Sequence, residues 1–356
     1  MRSLERDWEV ELIALPEAPD TGNGGAARGK ALWRKAAGGV VRAVLLDRFE
    51  PWSARTFLNW RPESDAALLV GYPWSPVTRA AARLRSAGVP YVVDSGDPWE
   101  ITKPYPSRPL PSEWRARRLE PALWRGAAGA VVTTPQQRDR LQEHFPDLPM
   151  LVRPNGYDLP DGAGMPDGAG PRQPRDPGSL RIAHFGMLLN LRVDVVPFLV
   201  ALARSGRWTS ITFEQFGHDF AGTLDRVPPE VHVVSNPARP WAEVMARASE
   251  FDAALVVGNR VGIMLPSKAI QYLTLPIPRV ALPARRDDDP LFDYVSERPA
   301  WLAVTPEDPD LAERVWEHVN ADWSAADLSP PAGEAWPAVA DEVSDFIGRC
   351  VAVERA

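Results

Sequence analysis

Short apolar runs alternate with helix-patterned segments along almost the whole chain, and few folds accept that alternation. In the first half the runs are VELIAL (10–15), AALLVGY (66–72), PYVVDS (90–95), GAVVTT (129–134) and MLVRPNG (150–156). Between them lie PVTRAAARLRSAG, PSEWRARRLEPALWRGA and PQQRDRLQEHF, with apolar residues at helical spacing and prolines suited to a first helical turn. Runs without polar alternation belong to strands buried on both faces, and strands separated by helices of this size pair in parallel. The stretch LPDGAGMPDGAGPRQPRDPGS (159–179) is dense in Gly and Pro and reads as a linker. Beyond it the rhythm resumes with LRIAHFG (180–186), SITFEQFG (210–217), VHVVS (231–235), DAALVV (252–257), IPRVAL (277–282) and WLAVT (301–305). Helices are expected at 193–204, 240–249, 268–274, 308–319 and 337–353.

The expected fold class is therefore α/β, two Rossmann-like doubly wound domains facing a cleft. The domains are expected at 1–158 and 180–335, joined by the linker 159–179, with the helical tail 336–356 crossing back onto the first. Ligands of such sheets sit outside the carboxyl ends of the strands, so the cleft is the default active site.

Composition narrows the chemistry. The 356-residue chain carries a net charge of −7, which gives no global field to attract nucleic-acid phosphates. Cys350 is the single cysteine, and the five histidines are scattered, so neither a disulfide framework nor a metal site is expected. No secretory leader or apolar run of membrane-spanning length occurs, so the expected location is cytoplasmic. Residues 28–61 hold Arg28, Lys30, Arg34, Lys35, Arg42, Arg48, Arg55 and Arg61 interleaved with Trp33, Phe49, Trp52, Phe57 and Trp60. Two readings stand for this stretch: a solvated face over packed aromatics, or a peripheral contact with an anionic membrane surface or lipid-linked acceptor.

The candidate chemistry begins with LPSKAIQYL (265–273), where Pro266 and Ser267 open a helix and Lys268 falls in its first turn. A cation is unfavourable at the positive end of a helix unless an anion lies between them. HFGMLLNLRVD adds Gly186, closing a strand, and Arg192, just before the next helix. Taken singly these are a turn glycine and a surface arginine. With Lys268 they supply close backbone approach, a planar fork and a point charge, a set suited to a diphosphate. In the first half, VVDSGDPWE ends a strand with Asp94 and Asp97, followed by Trp99; GYPWS (71–75) ends its neighbour. The acids either cap the following loop or bind acceptor or sugar hydroxyls, with Asp97 the candidate base. Trp99 either stacks on a sugar or fills the core. Asn155 and Gly156 form a tight turn or offer the sugar a backbone contact.

The order of HFGMLLNLR, FEQFG and LPSKAIQYLTLPIPRVAL resembles the nucleotide-sugar domain of GT-B glycosyltransferases, especially retaining family 4, and VTTPQQRDRLQEHFPDLPMLVRPNGYD resembles the segment leading to that family's linker. The resemblance spans roughly residues 60–305. It implies transfer of a sugar from a nucleotide diphosphate sugar to a small-molecule, glycan or lipid-linked acceptor, with retention of configuration and without metal or cofactor. Arg192 and Lys268 would hold the departing diphosphate. Gly186, Gly217, Pro266, Ser267, Gln271 and Tyr272 would form the donor site, with Ser267, Gln271 and Tyr272 near the ribose and base. The chain departs from the pattern at Gln271 and Ile263, where the family places glutamates, and a glutamine amide bonds hydroxyls without supplying charge. It departs again at WEVELIAL, which resembles the family's second strand. The usual first strand and its glycine loop are expected to be absent unless TGNGGAARGK (21–30) stands in for that loop; a misassigned start or a trimmed chain would explain the same pattern. The alternatives are a noncatalytic partner subunit on the same fold and a nucleotide-sugar epimerase.

Overall fold

The computed structural model describes residues 65–70, 74–99, 101, 111–158 and 176–354. The N-terminal strand VELIAL, the glycine loop 21–30, the basic stretch 28–61 and most of the Gly/Pro linker lie outside the described residues. The chain divides into two units: unit 1 takes the described residues up to Thr133, Gln137–Arg153 and the tail from Ala340, and unit 2 takes Thr134–Gln136 and Pro154–Val339.

Unit 1 carries a parallel sheet of β1 (Ala67–Val70), β2 (Tyr91–Ser95), β3 (Gly129–Val132) and β4 (Met150–Val152), in that spatial order. The helices α1 (Trp74–Ala87), α2 (Pro111–Arg125) and α3 (Pro135–His144) separate the strands in sequence. Ala81 and Leu84 of α1, Leu123 and Trp124 of α2 and Leu141 of α3 pack on Tyr91, Val93, Ala130 and Val132. The alternate strand residues Val92 and Val131 meet Phe346, Ile347, Cys350 and Val351 of the C-terminal helix (Trp336–Glu354). Each such side chain contributes about 1.5–3 kcal/mol when fully buried. Gly129 allows the close approach, because a Cβ there would lie 2.7 Å from Cys350 Sγ and 2.9 Å from Phe346 Cζ.

Unit 2 is a six-stranded parallel sheet. Its strands are β5 (Ser179–Phe185), β6 (Ser210–Phe216), β7 (Val231–Asn236), β8 (Ala253–Val257), β9 (Arg279–Leu282) and β10 (Trp301–Ala303), in the spatial order β10-β9-β8-β5-β6-β7. The connecting helices are α4 (Val196–Arg204), α5 (Trp241–Arg247), α6 (Ser267–Gln271), α7 (Pro290–Val295), α8 (Leu311–Asn320) and α9 (Ala325–Leu328), and α10 is the C-terminal helix already described. Residues alternate between two cores. Ile182, Phe213 and Leu255 join Phe198 and Leu199 of α4 and Val315 of α8. Ala183, Phe185 and Phe216 join Val244 of α5 and Ala269 and Ile270 of α6. Strand order reverses between β5 and β8, and in a doubly wound sheet the ligand crevice opens at the carboxyl ends of such a pair.

Candidate functional site

The switch point is built by the loops that leave β5 and β8. Arg192 and Asn259 form an isolated antiparallel bridge, with the Arg192 guanidinium donating to Asn259 Oδ1 at 2.6 Å. Asn259 Nδ2 donates to the Met264 carbonyl at 3.0 Å, and Arg260 Nε to the Arg192 carbonyl at 2.8 Å. Arg192 is thus held across the gap between the two strands, which limits the entropy its guanidinium would lose in gripping an anion.

Lys268 comes from α6. Pro266 is the N-cap residue and is buried, while Ser267 is exposed. The expected helix over 268–274 is instead an α-helix of five residues continued by a 3-10 turn, Tyr272–Thr274. A helix this short contributes little macrodipole, so the side chains carry the electrostatics. The half-buried Lys268 donates from Nζ to Gln271 Oε1 at 2.6 Å and lies 5.3 Å from the Trp241 ring centroid. Burial pulls its pKa below the usual lysine range, because the ammonium has traded water for a neutral amide and a ring face.

At the end of β5 the His184 imidazole is buried, within electrostatic reach of both cations. Its Nδ1 lies 2.8 Å from the Leu255 carbonyl, which can only accept, so Nδ1 carries the proton. Nε2 is buried without a hydrogen-bond partner. Burial first, then the fields of Arg192 and Lys268, hold the His184 pKa down to about 4 against the opposing Leu255 hydrogen bond. Gly186 leaves the space above this ring open: a Cβ on it would lie 3.2 Å from His184 Nε2 and 3.9 Å from Lys268 Cγ. Gly217 closes in from β6 at φ +125°, where a Cβ would stand 2.4 Å from the Gly186 carbonyl oxygen. That oxygen accepts from Gln215 Nε2 at 2.6 Å, while Gln215 Oε1 is buried without a hydrogen-bond partner.

Unit 2 therefore sets Lys268 beside Gly186 with Gln271 on its ammonium and Gly217 behind Gly186, and brings both Lys268 and Arg192 within electrostatic reach of the His184 ring. Tyr272 stands apart from them. It is wholly buried, its hydroxyl accepts from Phe185 N at 2.6 Å, and its ring stacks on Trp241, so it packs as a core residue supporting β5. Ile263 is likewise buried. Asn155 is half-buried beside Gly156, whose Cα is pressed against the Trp336 backbone, a Cβ there lying 2.8 Å from Trp336 Cα.

Three expected residues lie in unit 1 at the carboxyl end of β2. Asp94 is half-buried, and burial pushes its carboxyl up to about 6. Asp97 is exposed, with its carbonyl accepting from Ser95 Oγ at 3.1 Å. Trp99 packs in the core of this unit rather than offering a free ring face. His184, Gln215 and Asn259 are the site residues that sequence reading missed. The first two had a signal, since the neighbouring strands end in His-Phe-Gly and Gln-Phe-Gly, in register.

Among the described residues, no group of three or more His, Cys, Asp or Glu side chains is placed to hold a metal, and no helix is long and apolar enough to cross a membrane.

Residues 1–156 match the family described as a glycosyl transferase 4-like domain. Among curated proteins, none matches the chain. Several solved structures share its fold. Sucrose-phosphate synthase from Thermosynechococcus elongatus is 12% identical over 88% of this chain and 79% of its own, with a TM-score of 0.56. HepE of Anabaena, in complex with UDP, is 13% identical over 86% of this chain and 80% of its own, with a TM-score of 0.52. TarM of S. aureus, in a complex that includes UDP, is 10% identical over 86% of this chain and 58% of its own, with a TM-score of 0.54. At these identities the likeness is one of fold.

Proposed function

We propose that this chain, whose parallel-sheet units match GT-B glycosyltransferases in fold and whose first 156 residues match a glycosyl transferase 4-like domain, transfers a sugar from a nucleoside diphosphate sugar to an acceptor hydroxyl. The observation that carries this reading is that Arg192 and Lys268 both act electrostatically on the His184 ring bordering Gly186, at the switch point of the unit 2 sheet. In the reaction the bond from the sugar's anomeric carbon to the diphosphate oxygen breaks and a bond to the acceptor oxygen forms. The acceptor proton passes to a carboxylate or to the departing phosphate. Negative charge grows on the diphosphate as it leaves, so two positioned cations stabilise the transition state more than the ground state. No metal is invoked, and retention of configuration is taken from the family 4 resemblance.

Gln271 bears on donor recognition. Its Oε1 accepts from Lys268 Nζ, so the pair presents a full positive charge where a glutamate would have cancelled it. Ser267, exposed at the start of α6, is assigned to the nucleoside side. Asp94 and Asp97 are assigned to the acceptor side. With its carboxyl near 6, Asp94 can exchange a proton close to neutral pH. The complexes of HepE and TarM with UDP make uridine nucleotides the first donors to try.

The test is a thermal-shift titration with nucleoside diphosphates and their sugars, followed by transfer assays on the stabilising donor. The parent should be stabilised in a concentration-dependent way. Lys268→Ala and Arg192→Ala should each weaken that response about 10-fold or more and lower turnover by roughly 100-fold. Unchanged responses in both variants would remove the assignment. Binding with no turnover on any acceptor would favour a noncatalytic partner, a reading that Gln271 and the buried Ile263 also suit.

A further inference from the structure

His184 is a side chain that sugar transfer as described above does not use. It occupies the last position of β5 that faces the Ile182 core, beside Gln215 on β6. Its Nδ1 proton is committed to the Leu255 carbonyl, and its Nε2 has no protein partner although the residue is only 3% exposed. Orphaned buried nitrogens are uncommon and call for an explanation. The geometry supplies one, because a ligand atom occupying the space a side chain at position 186 would fill lies 3.2 Å from Nε2, at hydrogen-bond distance.

We propose that His184 is the third cation of the diphosphate seat, uncharged before the anion docks and protonated on Nε2 when it lies over Gly186 between Arg192 and Lys268. The inference rests on the diphosphate reading above. The charged groups acting on the ring are Arg192, from the loop after β5, and Lys268, from α6. From β6 it faces the neutral Gln215, and from β8 the Leu255 carbonyl. With two cations acting on a ring that is only 3% exposed, a proton on Nε2 is disfavoured. A diphosphate carrying two negative charges reverses that field at short range, where each charge shifts a neighbouring group by one or more pK units. The incoming proton then turns the orphan nitrogen into a donor to a phosphate oxygen, a charge-assisted bond that Leu255 has already oriented. Affinity for the donor is thereby linked to pH.

Titration calorimetry with UDP-glucose, ADP-glucose and GDP-glucose, at about pH 5.5 in buffers of different ionisation enthalpy, tests this on the full chain. Nucleotide sugars are used because their diphosphate is a diester whose charges stay fixed across this range. The best binder among them should draw between about a third of a proton and one proton from the buffer, and its affinity should rise between about pH 7.5 and 5.5 by an amount that grows with the uptake, from about 1.5-fold at a third of a proton to about 10-fold near one proton. His184→Asn keeps a donor for the Leu255 carbonyl and should bind without uptake. Asp94→Asn, which removes another group titrating near this pH, should leave the uptake in place. A binding heat independent of buffer in the parent chain overturns the inference, as does equal uptake in His184→Asn. Should that variant not fold, the parent's buffer dependence together with Asp94→Asn still decides. If none of the three ligands binds, or binding persists undiminished in Lys268→Ala, the diphosphate reading falls and this inference with it.

Discussion

Gly217 is held at φ +125° with its Cα against the Gly186 carbonyl, so any side chain there meets both a backbone penalty and a 2.4 Å contact. Gly217→Ala should cost on the order of 2 kcal/mol in urea unfolding. It should also weaken nucleotide binding, because relief of the clash moves the Gly186 carbonyl that Gln215 holds. At this scale the charged half of the candidate site was legible in the sequence as residue types and positions. Arg192 follows a strand-ending glycine, Lys268 falls in the first turn of a helix opened by Pro266 and Ser267, and their residue types suit a diphosphate. What organises them was less visible. Asn259 follows β8 with no motif around it, and only the fold brings it to the Arg192 fork. His184 reads as one polar residue in an apolar strand, a pattern shared by many satisfied core histidines, and its unpartnered nitrogen exists only in three dimensions. Tyr272 illustrates the reverse case. Its place in the motif suggested a ligand contact, while packing against Phe185 and Trp241 makes it a support for the strand.

At the scale of elements, the strands could be read because parallel strands buried on both faces leave continuous apolar runs. Two of the short helices, α7 and α9, could not. α7 is announced only by Asp289, whose carboxylate accepts from Leu291 N and Phe292 N, with Pro290 at the first helical position, and α9 only by the Ser324–Asp327 capping box. Caps without periodicity are weak signals. The end of α6 is held by a residue of the strand that follows it: the buried Arg279 guanidinium donates to the carbonyls of Tyr272, Leu273 and Leu275, around the 3-10 turn. The docking of α10 on the unit 1 sheet turns on Gly129, and this is testable. Gly129→Ala places a methyl against Cys350 Sγ and Phe346, which should destabilise unit 1 by about 1–3 kcal/mol through overpacking. Cys350→Ala removes one of the two obstructing groups, so the double variant should recover part of that loss. A double-mutant cycle in urea with no coupling between the two positions would show that α10 adjusts freely over β3.

Across the whole molecule, the buried His184 and the half-buried Asp94, in different units, make the response to acid a difference of opposing terms. His184 in unit 2 is held at about 4, below its ordinary 6.5. As pH falls through that interval the unfolded chain binds a proton that the folded chain refuses, so stability is present above about 6.5 and is lost progressively down to about 4. The full difference is on the order of 3 kcal/mol. Asp94 in unit 1 is raised from 3.8 to about 6, and its sign is opposite. Between those values the folded chain keeps a proton that the unfolded chain has released, so this contribution is present at low pH and is lost as pH rises through about 6. His184→Asn should therefore flatten the acid loss of stability, and Asp94→Asn should steepen it. Urea unfolding of the three chains at several pH values between about 4.5 and 7 reads both effects against the parent. Because the parent's own pH profile holds both terms, a nearly level parent curve is compatible with two large shifts, and only the divergence of the variants in opposite directions reveals them. A His184→Asn chain with the parent's acid slope would mean that the imidazole is not held neutral in the fold, and the reserve of proton affinity that the diphosphate is expected to draw on would not exist.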